Sequence, residues 1–251
     1  MRQFDNLRIR CSALGIVCEE GRTIGLTSKM QDELKGLLAK ENRTAKQEEK
    51  MQQLIERSKC KDEFSLSTGA MSYIEELVEM FVYKYKRTEL DGKEVQKGHQ
   101  CEDDSISLYN SIEFLTGKKN EIEMHNAFIQ GTCDVDYGNF IGEFKTSWSK
   151  KTFPKTNKAA YNKLYHWQCE GYMELWARPK ARLIYTLVDT PDPLIEWETN
   201  FTIHHMDDVP LHLRTRVLEF ERSAERWEAI KAKVLECRRY ANWYHEQITT
   251  T

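Results

Sequence analysis

The sequence predicts an α/β fold: a central mixed β-sheet flanked by helices, an N-terminal helical arm and a long C-terminal helix. Three observations predict it. The segment Gly131–Ser147 reads as two strands meeting at a turn. Ala181–Asp189 is a short apolar run that stops at the turn-forming Thr190-Pro191-Asp192-Pro193. Between and around these strands, apolar residues recur at helical spacing. Strands alternating with helical stripes give a sheet covered by helices.

Taken in order, residues 28–59 read as a helix or helical hairpin. Met30, Leu34, Leu37 and Leu38, then Met51, Leu54 and Ile55 carry its stripe, with Ser28 as N-cap. Its middle, Asn42–Lys50, is polar, as in a solvated arm. Ser65-Leu-Ser67-Thr68-Gly69 leads into a helix through Tyr73, Leu77, Met80, Phe81 and Tyr85. Residues 95–116 form the next helix and 126–148 the strand pair. Lys158–Trp176 is helical, with Tyr161, Leu164, Tyr165, Gln168, Tyr172 and Leu175 as its stripe. Ala181–Asp189 and Ile195–His204 are strands. The final helix starts near Asp207-Asp208-Val-Pro210, an acidic N-cap with an early proline. Its stripe runs from Leu213 through Val217, Phe220, Ala224 and Trp227 to Tyr244. The expected organisation is one domain over 1–251, with an arm at 1–64, a core at 65–205 and the C-terminal helix at 206–251.

The chain has 251 residues, with 40% hydrophobic and 11% aromatic side chains, enough for a sizeable core. A net charge of −3 does not mark a nucleic-acid binder, and it does not exclude one, because the field depends on where the charges lie. The seven cysteines are odd in number and contain no Cys-x-x-Cys pair. That speaks against a disulfide framework and a zinc finger, and for a reducing, cytoplasmic compartment. No long apolar run is present, so a soluble protein with no membrane partner is expected.

The chemistry concentrates in Asp134, Glu143 and Lys145. Glu143 and Lys145 are two apart on a strand and share a face, while Phe144 points to the other side. Two carboxylates brought together resist ionising. A hard divalent cation such as Mg2+ relieves that, and a lysine beside it orients the attacking water. This is the equipment of metal-assisted phosphodiester hydrolysis. Glu102 stands early in a helix after Gly98-His99-Gln-Cys, and Gln168 shares a helical face with Tyr172. From Lys145 to Lys163 there are six lysines and no acid, with Trp148, Phe153 and Tyr161 interleaved. Such a segment suits a phosphate backbone and an end base. Arg8, Arg10, Arg22 and the Lys/Arg-containing helix at 28–59 are candidates either to extend that basic path or to bind a 5′ phosphate.

The order Gly98-x-x-x-Glu102, Asp134, Glu143-Phe-Lys145, Gln168-x-x-x-Tyr172 resembles the PD-(D/E)XK nucleases, in the branch of lambda exonuclease and the YqaJ-type viral recombinases. The resemblance spans roughly Ser65 to Asp189. It implies a restriction-endonuclease-like core and a Mg2+-dependent deoxyribonuclease, with Mn2+ able to substitute. It implies a 5′-to-3′ exonuclease on linear double-stranded DNA in phage-type recombination. Asp134, Glu143 and the Phe144 carbonyl would bind metal. Lys145 would position or activate water, Glu102 would stand at the edge of the site, and Gln168 would contact the scissile region. Ser67 and Thr68 match a segment near the DNA 5′ end, and a turn or cap role stands equally open for them. Trp148, Lys150, Lys151, Lys155, Lys158 and Lys163 are the expected DNA contacts. Asp136 is a competing carboxylate, with Asp134 preferred because it stands at the family position. The family further implies a homotrimeric ring, a single-strand annealing partner and a phage-encoded protein in the bacterial cytoplasm. The alternatives are an endonuclease, a RecB-like or CRISPR-adaptation nuclease, or a catalytically silent DNA-binding module. An iron–sulfur cluster of the type with three late cysteines does not fit, since only Cys237 lies late.

Overall fold

The structure is a computed structural model that describes residues 2–20, 26, 28–40, 42–59, 64–88 and 92–250. Arg22 and the side chain of Ser28 lie outside the described residues. In chain order the elements are β1 (Ile9–Arg10), α1 (Leu14–Val17), α2 (Ser28–Leu38), α3 (Ala45–Lys59), α4 (Thr68–Tyr83), α5 (Lys93–Gln100) and α6 (Glu102–Glu113). There follow β2 (Met124–His125), β3 (Ile129–Gly131), β4 (Val135–Asp136), β5 (Ile141–Thr146), α7 (Asn157–Ala160), α8 (Lys163–Leu175), β6 (Lys180–Thr186), α9 (Asp192–Ile195), β7 (Thr215–Glu221) and α10 (Ala224–Thr249).

Two mixed sheets result. The larger has the order β4-β5-β6-β7, with β5 and β6 parallel and both outer pairs antiparallel. The smaller has the order β1-β3-β2. Ile141, Gly142, Glu143 and Phe144 are all buried, as are Ala181, Leu183 and Ile184. Central parallel strands covered on both faces read in this way, without alternation. The main core gathers α1, α4, α8 and α10 around these strands. The arm is a hairpin of α2 and α3 with its own small core of Leu37, Met51 and Leu54. Arg43 closes its turn by donating to the Leu37 and Lys40 carbonyls and to Glu48.

Several expected boundaries move. The segment 95–116 is two helices, broken at Cys101, where φ is −107°. The segment 158–176 breaks at Tyr161 and Asn162, both extended, and Asn162 caps α8 by accepting the Leu164 N–H at 2.8 Å. No strand forms at Ile195–His204. Pro191 and Pro193 instead start α9, since proline suits a first helical turn. Only the ends of the expected strand, Ile195 and His204, are buried, while Trp197 is 85% exposed, so the segment has no alternating buried face to pair on. The C-terminal helix does not begin at Asp207. Thr215–Glu221 is a strand paired antiparallel with β6 from Thr215↔Thr186 to Glu221↔Lys180. Across that pair Glu219 accepts from Lys180 at 2.6 Å and Arg182 at 2.9 Å. The long helix starts only after Ser223, which caps it by accepting the Arg226 N–H.

The helix that carries Gln168 is seated by glycine. A Cβ on Gly15 would lie 2.6 Å from the Leu164 Cα, and one on Gly171 would lie 2.5 Å from Leu14 Cδ1. Backbone cannot yield as a side-chain tip can. Gly15→Ala is therefore expected to cost about 1–3 kcal/mol in urea unfolding. An unchanged midpoint would mean that α1 and α8 do not cross this closely.

Candidate active site

Asp134 sits in the break between β3 and β4, where the chain passes from one sheet to the other. Its carbonyl accepts the Asn120 N–H at 2.7 Å, and its Oδ2 accepts the Phe144 N–H at 2.6 Å. The carboxylate is thus tied to the middle of β5. On that strand Glu143 is 2% exposed. Its Oε1 accepts from Lys145 Nζ at 2.6 Å and from Gln168 Nε2 at 2.8 Å. Gln168 also donates to the Tyr172 hydroxyl at 3.2 Å. Glu143 Oε2 is buried with no partner. Phe144 turns to the opposite side, edge-on to Tyr109.

The electrostatics follow from burial and proximity. Burial first, and then the charge of Glu143, hold the Asp134 carboxyl well above the usual carboxylate range, while Lys145 and the Phe144 N–H pull it down. Burial works against the Lys145 ammonium. The charges of Glu143 and Asp134 and the hydrogen bond to Glu143 outweigh it and push its pKa up. The Lys145 ammonium also lies 4.6 Å from the centre of the Tyr165 ring.

Of this cluster, Asp134, Phe144 and Lys145 line a cleft of about 570 Å³ together with Glu102, Trp148 and Tyr165, while Glu143 and Gln168 lie buried behind it. Glu102 stands at its side with Lys119 Nζ 2.7 Å away. His99 lines it too. Helix α6, which carries Glu102, is pinned to β5 and β6 by hydroxyls: Ser105 bonds Thr146 at 2.8 Å, and Thr186 donates to Ser105 at 2.7 Å. Asp136 does not join the cleft. Its carboxylate takes both arms of Arg178, at 2.8 and 2.7 Å, which holds it below the usual range. Among the described residues, no group of three or more His, Cys, Asp or Glu forms a metal cage.

The basic segment divides. Lys150 pairs with Asp208, and Lys155 folds back onto the carbonyls of Lys150 and Lys151. Lys151, Lys158 and Lys163 are exposed, and no ion pair holds them among the described residues. Lys163 lines a different cavity, beside Trp167. Ser67 is spent locally: its Oγ accepts the Ala70 N–H at 3.1 Å and reaches the Ile16 carbonyl at 3.4 Å. Ser67 and Thr68 line a third cavity with Glu19 and Glu20, apart from the Lys145 cleft. Tyr165 and Tyr185, which line the cleft, and Lys119, which pairs with Glu102, have no distinguishing motif in the sequence. Only the helical stripe of Tyr165 gave a signal, and that signal reads as core.

No protein-family model matches the chain, and no curated protein matches it. Solved structures do. The fold is similar to that of a phage-related exonuclease from Haemophilus somnus 129PT, at 23% identity over 97% of each chain, with a TM-score of 0.75. It is similar to the alkaline exonuclease LHK-Exo from Laribacter hongkongensis, at 13% identity over 97% of this chain and 94% of that one, with a TM-score of 0.54. LHK-Exo in complex with dAMP is similar at 16% identity over 72% of this chain and 84% of that one, with a TM-score of 0.55. The chain shares the α/β fold of these proteins, the fold expected from its sequence. No helix among the described residues is long and apolar enough to cross a membrane.

Because the folded Asp134 keeps its proton to higher pH than the unfolded chain does, stability falls as pH rises from about 4, the ordinary carboxylate value, through the raised one. Asp134→Asn keeps the acceptor for Phe144 and removes the charge. In EDTA at pH 8 it is expected to be more stable than wild type by about 0.5–2 kcal/mol, as relief of functional-site strain commonly is. The gap should close toward pH 4. A variant less stable at pH 8 would contradict the crowding of these carboxylates.

Proposed function

We propose that this chain is a Mg2+-dependent deoxyribonuclease, a 5′-to-3′ exonuclease on linear double-stranded DNA of the phage-recombination type. The observation that carries the reading is the Glu143–Lys145–Gln168 cluster beside Asp134, at a cleft in an exonuclease fold. The donor set fits a hard cation: two crowded carboxylates, one with a buried oxygen lacking any partner. Asp134 and Glu143 would hold it, with the Phe144 carbonyl as a third ligand, and Mn2+ would substitute. When bound, such a cation lowers the pKa of water and offsets phosphate charge.

The protein's own groups do the rest. Gln168 holds the Glu143 carboxylate in one orientation. Lys145, anchored to Glu143 and open to the cleft, orients the attacking water and offsets charge building on the phosphate. Glu102 closes the acidic edge. DNA runs past Trp148 and is gripped by Lys151, Lys158 and Lys163, while Lys150 and Lys155 set the shape of the loop between them. A homo-oligomeric ring, an annealing partner and a place in the bacterial cytoplasm belong to the same reading by resemblance.

The test uses an end-labelled linear duplex with a 5′ phosphate and a closed circle of the same DNA, each with Mg2+ or EDTA. Metal-dependent loss of the linear form alone is expected. Lys145→Ala should lower the rate by about 100- to 10,000-fold while still shifting DNA in a gel. Normal cleavage by that variant would remove Lys145 from the chemistry. Cutting of the circle would make the protein an endonuclease. Binding with no cutting at all would make it a silent module.

Neutralising Lys151, Lys158 and Lys163 together should make the log–log salt slope of DNA binding shallower by about 1 to 3. An unchanged slope would take those lysines off the DNA path.

A further inference from the structure

Lys97 is a lysine with no exposed surface. It lies in α5, directly before Gly98 and His99, which line the cleft. Its ammonium is within 2.8 Å of the Ser147 carbonyl, 3.0 Å of the Trp148 carbonyl, 2.9 Å of the Val188 carbonyl and 2.9 Å of Thr190 Oγ1. None of these acceptors is a carboxylate. The nearest acid in sequence to them, Asp189, spends an oxygen on the Met206 N–H at 2.6 Å. Burial accordingly lowers the Lys97 pKa to about 8.

The acceptors belong to the segments that leave β5 and β6. The two segments are themselves joined where the Ser147 N–H meets the Thr186 carbonyl at 2.9 Å. The Trp148 carbonyl accepts both from Lys97 and from Thr190 Oγ1, at 3.0 Å each. Thr190 Oγ1 also meets His204 Nδ1 at 3.1 Å, and the His204 ring stands edge-on to the Trp148 ring at 5.1 Å. One polar cluster therefore fixes both the backbone and the ring of Trp148. The same lysine joins two of the chain segments that line the cleft, 94–99 and 144–148.

We propose that Lys97 is a positioning residue for DNA: it clamps the end of β5 to α5 so that the Trp148 ring faces the cleft as a stacking surface for a base at the DNA end. A buried charge without a carboxylate partner is costly. The expense is offset because three directed N–H bonds hold several carbonyls that an apolar side chain would leave unpaired. The proposal rests on the reading of the cleft as a DNA site.

A double-mutant cycle tests it. Affinity for a labelled linear duplex is measured by anisotropy in EDTA for wild type, Lys97→Met, Trp148→Ala and the double variant. Loss of one stacked base predicts about tenfold weaker binding for each single variant. The double variant should bind no worse than Trp148→Ala alone. In Mg2+, Lys97→Met should raise KM about tenfold, with kcat changed less than about threefold. Losses that multiply in the double variant would show that Lys97 does not act through Trp148, and would overturn the proposal. So would wild-type affinity in Lys97→Met. Should that variant not fold, Thr190→Val, which removes only the shared hydroxyl, takes its place in the same cycle. Unchanged binding by Trp148→Ala would end the stacking role and this proposal, whereas the nuclease reading is decided separately by Lys145→Ala.

Discussion

The Glu143 carboxylate is the group on which this architecture turns. It is buried on a central strand, where polar groups need partners. Lys145 and Gln168 supply them through one oxygen, and the other oxygen is left without a protein partner. In the proposed reading a cation meets that oxygen. Breaking one member of a buried charged cluster costs more than the cluster contributes as a whole. Glu143, Lys145 and Gln168 therefore stand or fall together, and α8 must be held at the right height over β5. Gly15 and Gly171 do that by letting α1 approach α8 at backbone distance.

Around this centre the fold arranges successive ties between helices and strand ends. Ser105 joins α6 to β5 and β6 through hydroxyls. Lys97 joins α5 to the segments beyond those strands. The two helices between them carry His99 and Glu102 to the cleft.

Local periodicity explains what could be read in advance. Glu143 and Lys145 share a face because strands repeat every second residue, and Gln168 joins Tyr172 because helices repeat every third or fourth. These rules needed no partner strand. The strand at Thr215–Glu221 did need one. Val217, Phe220 and Ala224 mimic a helical stripe, and only the pairing with Lys180 and Arg182 decides for β. Lys97 was equally illegible, because it reads as one more solvated lysine in a polar helix. Its four oxygens come from residues 50 to 93 positions away. The lysine run was legible as charge, but not as to which ammonium groups the loop would keep for itself.

The most direct test of the account is calorimetric titration of Mg2+ into wild type and into Glu143→Gln. The account predicts saturable binding to wild type that is lost in the variant, because the carboxylate with the unpartnered oxygen is then neutral. Equal affinity in the two proteins would contradict it, and would move the cation, and with it the chemistry, away from Asp134 and Glu143.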